Sequence, residues 1–267
     1  MKSIKAIRFI NILFFAVILI LDSGCNGMIT NVSGMRKNVV QEPVKETNVL
    51  DAGKEKKIDY TIIERNNYGY NNGDKYLKQY SSIHSVKQIV LVEQSKEVVS
   101  EGTLFLLIKN ESGVWHEVLR CKAYLGKNGI DKTQEGDART PTGDYGFLMA
   151  FGAKENPGSL IPYTKVTDTM YVCGDKGYYN QFVDTGKVKH HCGNNSEHLL
   201  SYVPQYNYAL FIDYNKEGIY GKGSAIFLHC FGNYPFTMGC VSVSEKNMIK
   251  ILMMVDENAR VCIYAKG

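Results

Sequence analysis

The chain has 267 residues, which is enough for one large or two small domains. Hydrophobic residues make up 44% of it and charged residues 22%, proportions typical of a globular protein. The formal net charge of +4 is too small and too dispersed to indicate a nucleic-acid-binding protein. Neither a Walker-type phosphate loop nor a G-x-G-x-x-G motif after a strand is present, so nothing in the sequence indicates a nucleotide-binding enzyme.

The N-terminal residues 1–25 have the pattern of an export signal. An apolar run at 9–21 is interrupted only by Asn11, and the stretch before it is basic, with Lys2, Lys5 and Arg8. This run is short for a membrane span and typical of the hydrophobic core of a signal peptide. The sequence therefore predicts export to the cell envelope. The segment is a lipoprotein signal, an uncleaved anchor helix or a simple secretory signal.

Residues 23–25, Ser-Gly-Cys, resemble the end of a bacterial lipobox, in which the cysteine is lipidated. We therefore name Cys25 as the candidate lipidation site, although Asp22 stands where that motif has an apolar residue. Lipidation at Cys25 predicts a protein anchored on the outer face of the cytoplasmic membrane.

Residues 26–81 are polar and rich in Asn, Lys, Glu, Gly and Tyr, which predicts a tether. A folded domain is predicted from 82 to 267, because strand-like runs begin there and continue to the end. Within it, the segment from about 150 to 205 has little periodicity, which predicts a long functional insertion or lid.

Short apolar runs separated by turn residues predict strands over 87–93, 102–109, 114–124, 207–215, 224–231 and 259–265. Residues 109–113 predict the hairpin connection between the second and third of these. One helix is predicted after Ser244, with apolar residues at helical spacing, namely Met248, Ile251, Leu252 and Val255. The fold class is therefore predicted to be mostly β with one or a few helices, a sandwich or an open barrel.

The most informative segment is 221–252, in which a strand ends at His229 and a loop returns to Cys240. A thiol needs a base or a positive dipole to become a reactive thiolate, and His229 is the candidate base for Cys240. Gly239 permits a close backbone approach, and the N–H groups around Gly239 and Cys240 are candidate oxyanion donors.

This segment resembles the catalytic motif of the L,D-transpeptidase (YkuD) family, a histidine followed by a loop and then Ser/Thr-His-Gly-Cys. Thr237, Gly239 and Cys240 match that motif, and His229 matches its first histidine. The run at 135–147 matches the family's Thr-Pro-x-Gly segment, and residues 196–199 resemble a branch of the family with a long insertion. The resemblance covers about residues 85–265 and implies an L,D-transpeptidase-type fold.

The chain departs from the family pattern at two positions. Met238 replaces a second histidine, and Ser242 replaces an Arg or Asn that often follows the cysteine. Another residue must then supply the charge for a substrate carboxylate, and we name Arg139. The predicted substrate-binding residues are Thr237, Met238, Arg139 and His198.

The chain has seven cysteines, and those other than Cys25 and Cys240 have structural interpretations. Cys230 is the rival nucleophile, but its side chain should face away from that of the adjacent His229. Cys121 and Cys262 lie in apolar strands and are predicted to pack there. For Cys173 and Cys192 we predict a disulfide that closes the insertion.

The cluster at 189–200 contains three histidines and Cys192, but its spacing matches no common zinc pattern, so no metal site is predicted.

The resemblance implies that the Cys240 thiolate attacks a donor tetrapeptide stem of peptidoglycan, releases D-alanine and transfers the acyl group to an acceptor amine. It implies no cofactor, and we predict a monomer. The alternatives are an L,D-carboxypeptidase, a transferase that joins a wall peptide to a protein, and a non-catalytic wall-binding lipoprotein.

Overall fold

One open, curled sheet of ten strands organises the fold in the computed structural model of the chain, which describes residues 77–80 and 83–266. The predicted export signal, its Cys25 and residues 26–76 of the predicted tether lie outside the described residues. The strands are β1 (Gln88–Gln94), β2 (Glu101–Lys109), β3 (Trp115–Tyr124), β4 (Gly143–Tyr145), β5 (Phe147–Gly152), β6 (Tyr163–Lys165), β7 (Met170–Val172), β8 (Phe182–Asp184), β9 (Glu197–His198), β10 (Ala209–Ile212), β11 (Phe227–Cys230), β12 (Val241–Val243) and β13 (Arg260–Ala265).

The large sheet has the order β4-β13-β1-β2-β3-β12-β11-β10-β5-β6, and a small second sheet has the order β8-β7-β9. Most neighbours in the large sheet are antiparallel, whereas β1–β13, β11–β12 and β5–β6 are parallel. The described residues are thus mostly β with one α-helix, which confirms the predicted fold class. The single large open sheet favours the open-barrel alternative over the sandwich.

The strands β1 and β2 are apolar on both faces, because core lies on both sides of the sheet. Val90 and Val92 face the main core, while Ile89 and Leu91 face a smaller cluster on the other side. Alternation along a strand sends neighbouring side chains to opposite faces, so an uninterrupted apolar run suits this position.

The smaller cluster includes Leu77 and Tyr80, which the sequence assigns to the tether. Both are buried, and the ammonium of Lys109 donates to the carbonyls of Tyr80 and Ile83 at 3.0 and 2.8 Å. The boundary at residue 82 remains a prediction, but these contacts tie the segment before it to the sheet.

The helix α1 (Glu245–Leu252) follows β12 directly, and Ser244 caps it as predicted. The Ser244 hydroxyl accepts a hydrogen bond from the backbone N–H of Asn247, which satisfies one of the free donors of the first turn. The buried face of the helix consists of Met248, Ile251 and Leu252. Capping this helix directly after β12 fixes where that strand ends.

The predicted insertion at about 150–205, whose sequence shows little periodicity, contains short strands and 3-10 turns. It includes β6 to β9 and the 3-10 helices Leu199–Tyr202 and Gln205–Asn207. These strands have two or three residues each, too few to produce a visible alternation in sequence. Within residues 77–80 and 83–266, no helix is both long and apolar enough to cross a membrane.

Candidate active site

The parallel pair β11 and β12 places the predicted catalytic residues side by side. His229 in β11 is in register with Ser242 in β12, and Cys240 lies immediately before β12. Phe227 and His229 share one face of β11, and Cys230 faces the main core on the other. The Cys230 thiol there donates to the carbonyl of Tyr208 at 3.5 Å, as the packing interpretation of this cysteine predicts.

The thiol of Cys240 is held by two backbone groups. It accepts from the N–H of Phe227 at 3.3 Å and donates to the carbonyl of Ala225 at 3.2 Å. Ala225 has a φ of 54°, in the left-handed region, and its N–H donates to the side-chain oxygen of Asn180 at 2.8 Å. An unusual backbone conformation, held by a buried amide, therefore positions the acceptor for the thiol.

The turn before Cys240 depends on Gly239 and Thr237. Gly239 has a φ of 146°, and a Cβ at that position would lie 3.1 Å from the carbonyl oxygen of Arg139. Its N–H donates to the Thr237 hydroxyl at 3.1 Å, and that hydroxyl donates to the carbonyl of Cys240 at 2.6 Å. The Gly239 N–H, one of the predicted oxyanion donors, is thus already bonded within the turn, and an oxyanion would have to displace Thr237 to reach it.

Thr140 contacts the same carbonyl from a distant part of the chain. Its hydroxyl donates to the Cys240 carbonyl at 3.0 Å and accepts from the N–H of Gly126 at 2.8 Å. Thr140 begins the Thr-Pro-x-Gly segment and is fully buried. The segment that carries the family resemblance therefore contacts the loop of the candidate nucleophile.

The ring of His229 has a fixed orientation. Its Nδ1 lies 2.7 Å from the carbonyl of Cys230, and because a carbonyl only accepts, Nδ1 must carry the proton. The other nitrogen, Nε2, then has a free lone pair. The ring also meets the ring of Tyr206 edge-on, with centroids 5.4 Å apart. The imidazole is thus in the tautomer that a general base needs.

Cys240 and His229 line one cavity of about 240 Å³. Only 8% of Cys240 and 6% of His229 remain exposed, so each meets the cavity with a small part of its surface. A larger cavity of about 470 Å³ lies elsewhere, and neither residue lines it. The other residues around the smaller cavity are Glu197, Tyr202, Gln205, Tyr206, Gly232, Asn233, Tyr234, Phe236, Thr237, Met238 and Ser242.

Both members of the candidate pair are neutral at rest. Burial lowers the pKa of the His229 imidazole to about 4, and the bond to the Cys230 carbonyl offsets only part of this. Burial raises the pKa of the Cys240 thiol well above its ordinary range, and the Glu197 carboxyl adds to the rise. In the part of the chain that the structure describes, the thiol is hydrogen-bonded to Ala225 and Phe227 and not to His229.

Glu197 is a cavity residue that the sequence analysis did not single out. Its carboxylate accepts a hydrogen bond from the Tyr206 hydroxyl at 2.6 Å. Burial raises the pKa of Glu197 to about 7, an effect that the bond from Tyr206 partly offsets. The only sequence signal for Glu197 is its place in the Ser-Glu-His-Leu block at 196–199, in which His198 is the predicted substrate-binding residue.

Lys132 is a second residue that the sequence does not single out, and it has no sequence signal at all. Only 1% of its side chain is exposed, and its ammonium lies 2.8 Å from the carboxylate of Asp137. Burial alone would raise the pKa of Asp137, but Lys132 and three backbone N–H groups together lower it to about 2. The positive charge of Lys132 also lowers the pKa of the Cys240 thiol, which offsets a small part of the rise that burial causes.

The predicted substrate-binding residues divide into two groups. Thr237 and Met238 line the cavity, and Met238 is 66% exposed at its rim. Arg139 is exposed outside it, and its guanidinium donates to the carbonyl of Ile130 at 2.9 Å. His198 also lies outside it, with its ring nitrogens 2.8 Å from the Ser201 hydroxyl and 2.8 Å from the Asp168 carbonyl.

A separate group of possible metal ligands lies in the small sheet region. The ligand atoms of Cys173, His190 and Cys192 all lie within 4.8 Å of one another, and all six described cysteines are free thiols. The sequence predicts no metal here, because the spacing of the cluster at 189–200 matches no common zinc pattern and Cys173 is distant from it in the chain.

The comparisons with known proteins found similarity to solved structures. No protein-family model matches the chain, and no curated protein matches its sequence. Among solved structures, the L,D-transpeptidase (residues 123–326) from Xylanimonas cellulosilytica DSM 15894 is 18% identical, with a TM-score of 0.29. The alignment covers 68% of this chain and 62% of that one, so this chain spans less than two thirds of the solved domain.

Proposed function

We propose that the protein is a cysteine acyltransferase of the L,D-transpeptidase type that acts on peptidoglycan stem peptides. One observation carries the proposal: the thiol of Cys240 and the imidazole of His229 line the same cavity. The bond from Nδ1 to the Cys230 carbonyl leaves Nε2 as a proton acceptor. The matched motif around Thr237, Gly239 and Cys240 supports the choice of stem peptides as the substrate.

In the first half of the reaction, the proton of the Cys240 thiol passes to Nε2 of His229 as Sγ attacks the carbonyl carbon of the donor amide. The tetrahedral intermediate collapses when the imidazolium returns this proton to the nitrogen of the leaving D-alanine. The products are a thioester on Cys240 and free D-alanine.

In the second half, an amine of an acceptor stem attacks the thioester carbonyl, and His229 takes its proton. Collapse of the second intermediate forms the new amide, and the Cys240 sulfur leaves with the proton from His229. The thiol is regenerated, so the cycle needs no oxidant, reductant or cofactor. Water in place of the amine gives an L,D-carboxypeptidase by the same steps.

The neutral resting state imposes a condition on this mechanism. A buried site opposes the formation of either a lone thiolate or a lone imidazolium, as the two shifted pKa values indicate. The two charges arise together, however, and each then stabilises the other. Substrate must also draw the thiol from the Ala225 carbonyl, so activation accompanies binding.

A second candidate is a non-catalytic protein that binds wall peptides. The hydrogen bond of the Cys240 thiol to Ala225 and the raised pKa of that thiol favour it, because both are typical of an unreactive buried cysteine. This candidate retains the cavity and the peptide but not the acyl transfer. For both candidates we propose an exported, membrane-anchored monomer.

Product analysis after incubation with a purified disaccharide-tetrapeptide separates the candidates. Transpeptidation predicts cross-linked dimer and free D-alanine in equal amounts, both absent with Cys240→Ala. Tripeptide with D-alanine and no dimer indicates the carboxypeptidase. Unchanged tetrapeptide that nevertheless binds the protein supports the non-catalytic candidate and contradicts the proposal.

A further inference from the structure

The three possible metal ligands come from two segments that the small sheet brings together. Cys173 follows β7 directly, whereas His190 and Cys192 lie in the loop between β8 and β9. Both β8 and β9 pair with β7, so the loop that joins them returns to the end of β7. The sulfur of Cys173 lies 3.3 Å from Nε2 of His190.

Neighbouring groups hold these ligands in place. The ring of His190 stacks on Tyr178, with centroids 3.9 Å apart and an interplanar angle of 10°. The Ser196 hydroxyl donates to the sulfur of Cys173 at 3.7 Å and accepts from the N–H of Gly174 at 2.9 Å. Such supporting contacts orient the ligands of metal sites and tune the metal.

A carboxylate approaches the same point. Oδ2 of Asp175 lies 3.4 Å from Nε2 of His190 and accepts from the N–H of Gly193 at 2.9 Å. The imidazole nitrogen therefore faces a thiol and a carboxylate at once. The ligand atoms of Cys173, His190 and Cys192 thus lie within 4.8 Å of one another, and the Asp175 carboxylate adjoins this group at His190.

We propose that Cys173, His190 and Cys192 bind a zinc ion, with Asp175 as the nearest candidate for the fourth ligand. Two thiolates and an imidazole are ligands that Zn²⁺ prefers, and structural zinc sites are four-coordinate. Binding releases the two thiol protons to solvent, so the affinity rises with pH. The inference concerns a site separate from the cavity of Cys240 and does not depend on the proposed activity.

The alternative occupant of this space is a Cys173–Cys192 disulfide, as the sequence predicts. The geometry favours the metal, because Nε2 of His190 lies 3.3 Å from the Cys173 sulfur and so adds an imidazole to the sulfur pair, which a disulfide does not require.

The zinc ion would fasten the loop between β8 and β9 to the end of β7. The strand β7 pairs with β9, in register Val172 with Glu197, and Glu197 lines the cavity of Cys240. The site is therefore structural, and its loss should loosen one wall of that cavity.

The test uses the full chain purified without chelator and without added reductant, with zinc measured by elemental mass spectrometry and native mass spectrometry. We expect one zinc per chain and a lower melting temperature after chelation. His190→Gln and Cys192→Ser should each weaken Zn²⁺ binding more than ~100-fold, beyond the usual effect of a supporting contact. His191→Gln, at the exposed neighbouring position, is the matched control and should bind as the parent does.

Cobalt substitution gives a second readout, since a thiolate–cobalt charge-transfer band requires cysteine ligands and should disappear in Cys192→Ser. Two results overturn the proposal. One is a Cys173–Cys192 disulfide in the freshly purified protein, detected by peptide mapping and by an intact mass lower by two hydrogen atoms. The other is a fully reduced, folded protein that takes up no zinc in a titration.

Discussion

The hydroxyl of Thr140 donates a 3.0 Å hydrogen bond to the carbonyl of Cys240 across a sequence separation of 100 residues. The Thr237 hydroxyl donates to the same carbonyl at 2.6 Å, so two threonines fix the backbone of the candidate nucleophile. Thr140 also satisfies the buried N–H of Gly126. A residue that never touches the cavity thus determines where the thiol lies.

Replacing Thr140 with valine keeps the side-chain shape and removes both bonds. We expect a loss of about 1–3 kcal/mol in the free energy of unfolding, because the N–H of Gly126 becomes a buried donor without a partner. Acylation of Cys240 should slow at the same time. Denaturant titration and acylation kinetics measure the two effects. The matched control is Thr142→Val, whose hydroxyl bonds to the exposed Asp131, and an equal loss there would contradict the role of Thr140.

His229→Ala should lower the rate of Cys240 acylation ~100- to 10,000-fold, the usual contribution of a positioned base. The pH profile gives a sharper test. Because the pKa of His229 is about 4, the base stays neutral and active well below the ordinary histidine range. The acid limb of kcat/KM should therefore fall near pH 4, and a limb near pH 6.5 would contradict the burial argument. The exposed His84→Ala serves as the control.

Local sequence patterns were enough to predict the main strands, the helix and the proximity of His229 to Cys240. The strand runs and the Ser244 cap are local signals, so the main strands and the helix were predicted within a few residues of their observed ends. The motif around Cys240 and the opposite facing of Cys230 also follow from local spacing. These parts need no knowledge of how distant segments pair.

The remaining features depend on long-range packing. Glu197 reaches the cavity only because β9 pairs with β7, and these strands are too short to leave a periodic pattern. Lys132 resembles a surface lysine in sequence, and its burial depends on the fold around Asp137. The cluster of Cys173, His190 and Cys192 likewise forms only when β8 and β9 meet β7.

Glu197→Gln should flatten the dependence of stability on pH. The pKa of Glu197 is raised in the folded protein from 4.5 to about 7, so the folded state binds more protons than the unfolded state in this window. Stability should therefore fall as pH rises from about 4.5 to about 7, and the variant should lack this fall. Denaturation at several pH values measures it. The control is Glu155→Gln, because the Glu155 side chain is 82% exposed and should not change the pH dependence. If the stability of Glu197→Gln depends on pH as that of the parent does, the raised pKa of Glu197 is wrong.

Lys132→Met should destabilise the protein by about 3–5 kcal/mol, since removal of one partner leaves the buried Asp137 charge uncompensated. In the parent, the depressed pKa of Asp137 gives stability that is present above pH 3.8 and lost as pH falls towards about 2. Acid unfolding of the variant should therefore begin at a higher pH. Lys165→Met, in an exposed ion pair, should change stability by less than about 1 kcal/mol. Equal changes in stability in the two variants would show that the ion pair of Lys132 with Asp137 does not stabilise the fold.

The most direct test of the central claim is the intact mass of the protein after incubation with a carbapenem, followed by peptide mapping. A Cys240 thiolate that attacks a donor amide, as proposed, should also open the strained amide of the β-lactam ring, so the account predicts one covalent adduct, located on Cys240. Cys230→Ala should form the adduct and Cys240→Ala should not. A folded protein that forms no adduct, or one that carries it on another cysteine, would contradict the assignment of Cys240 as the nucleophile.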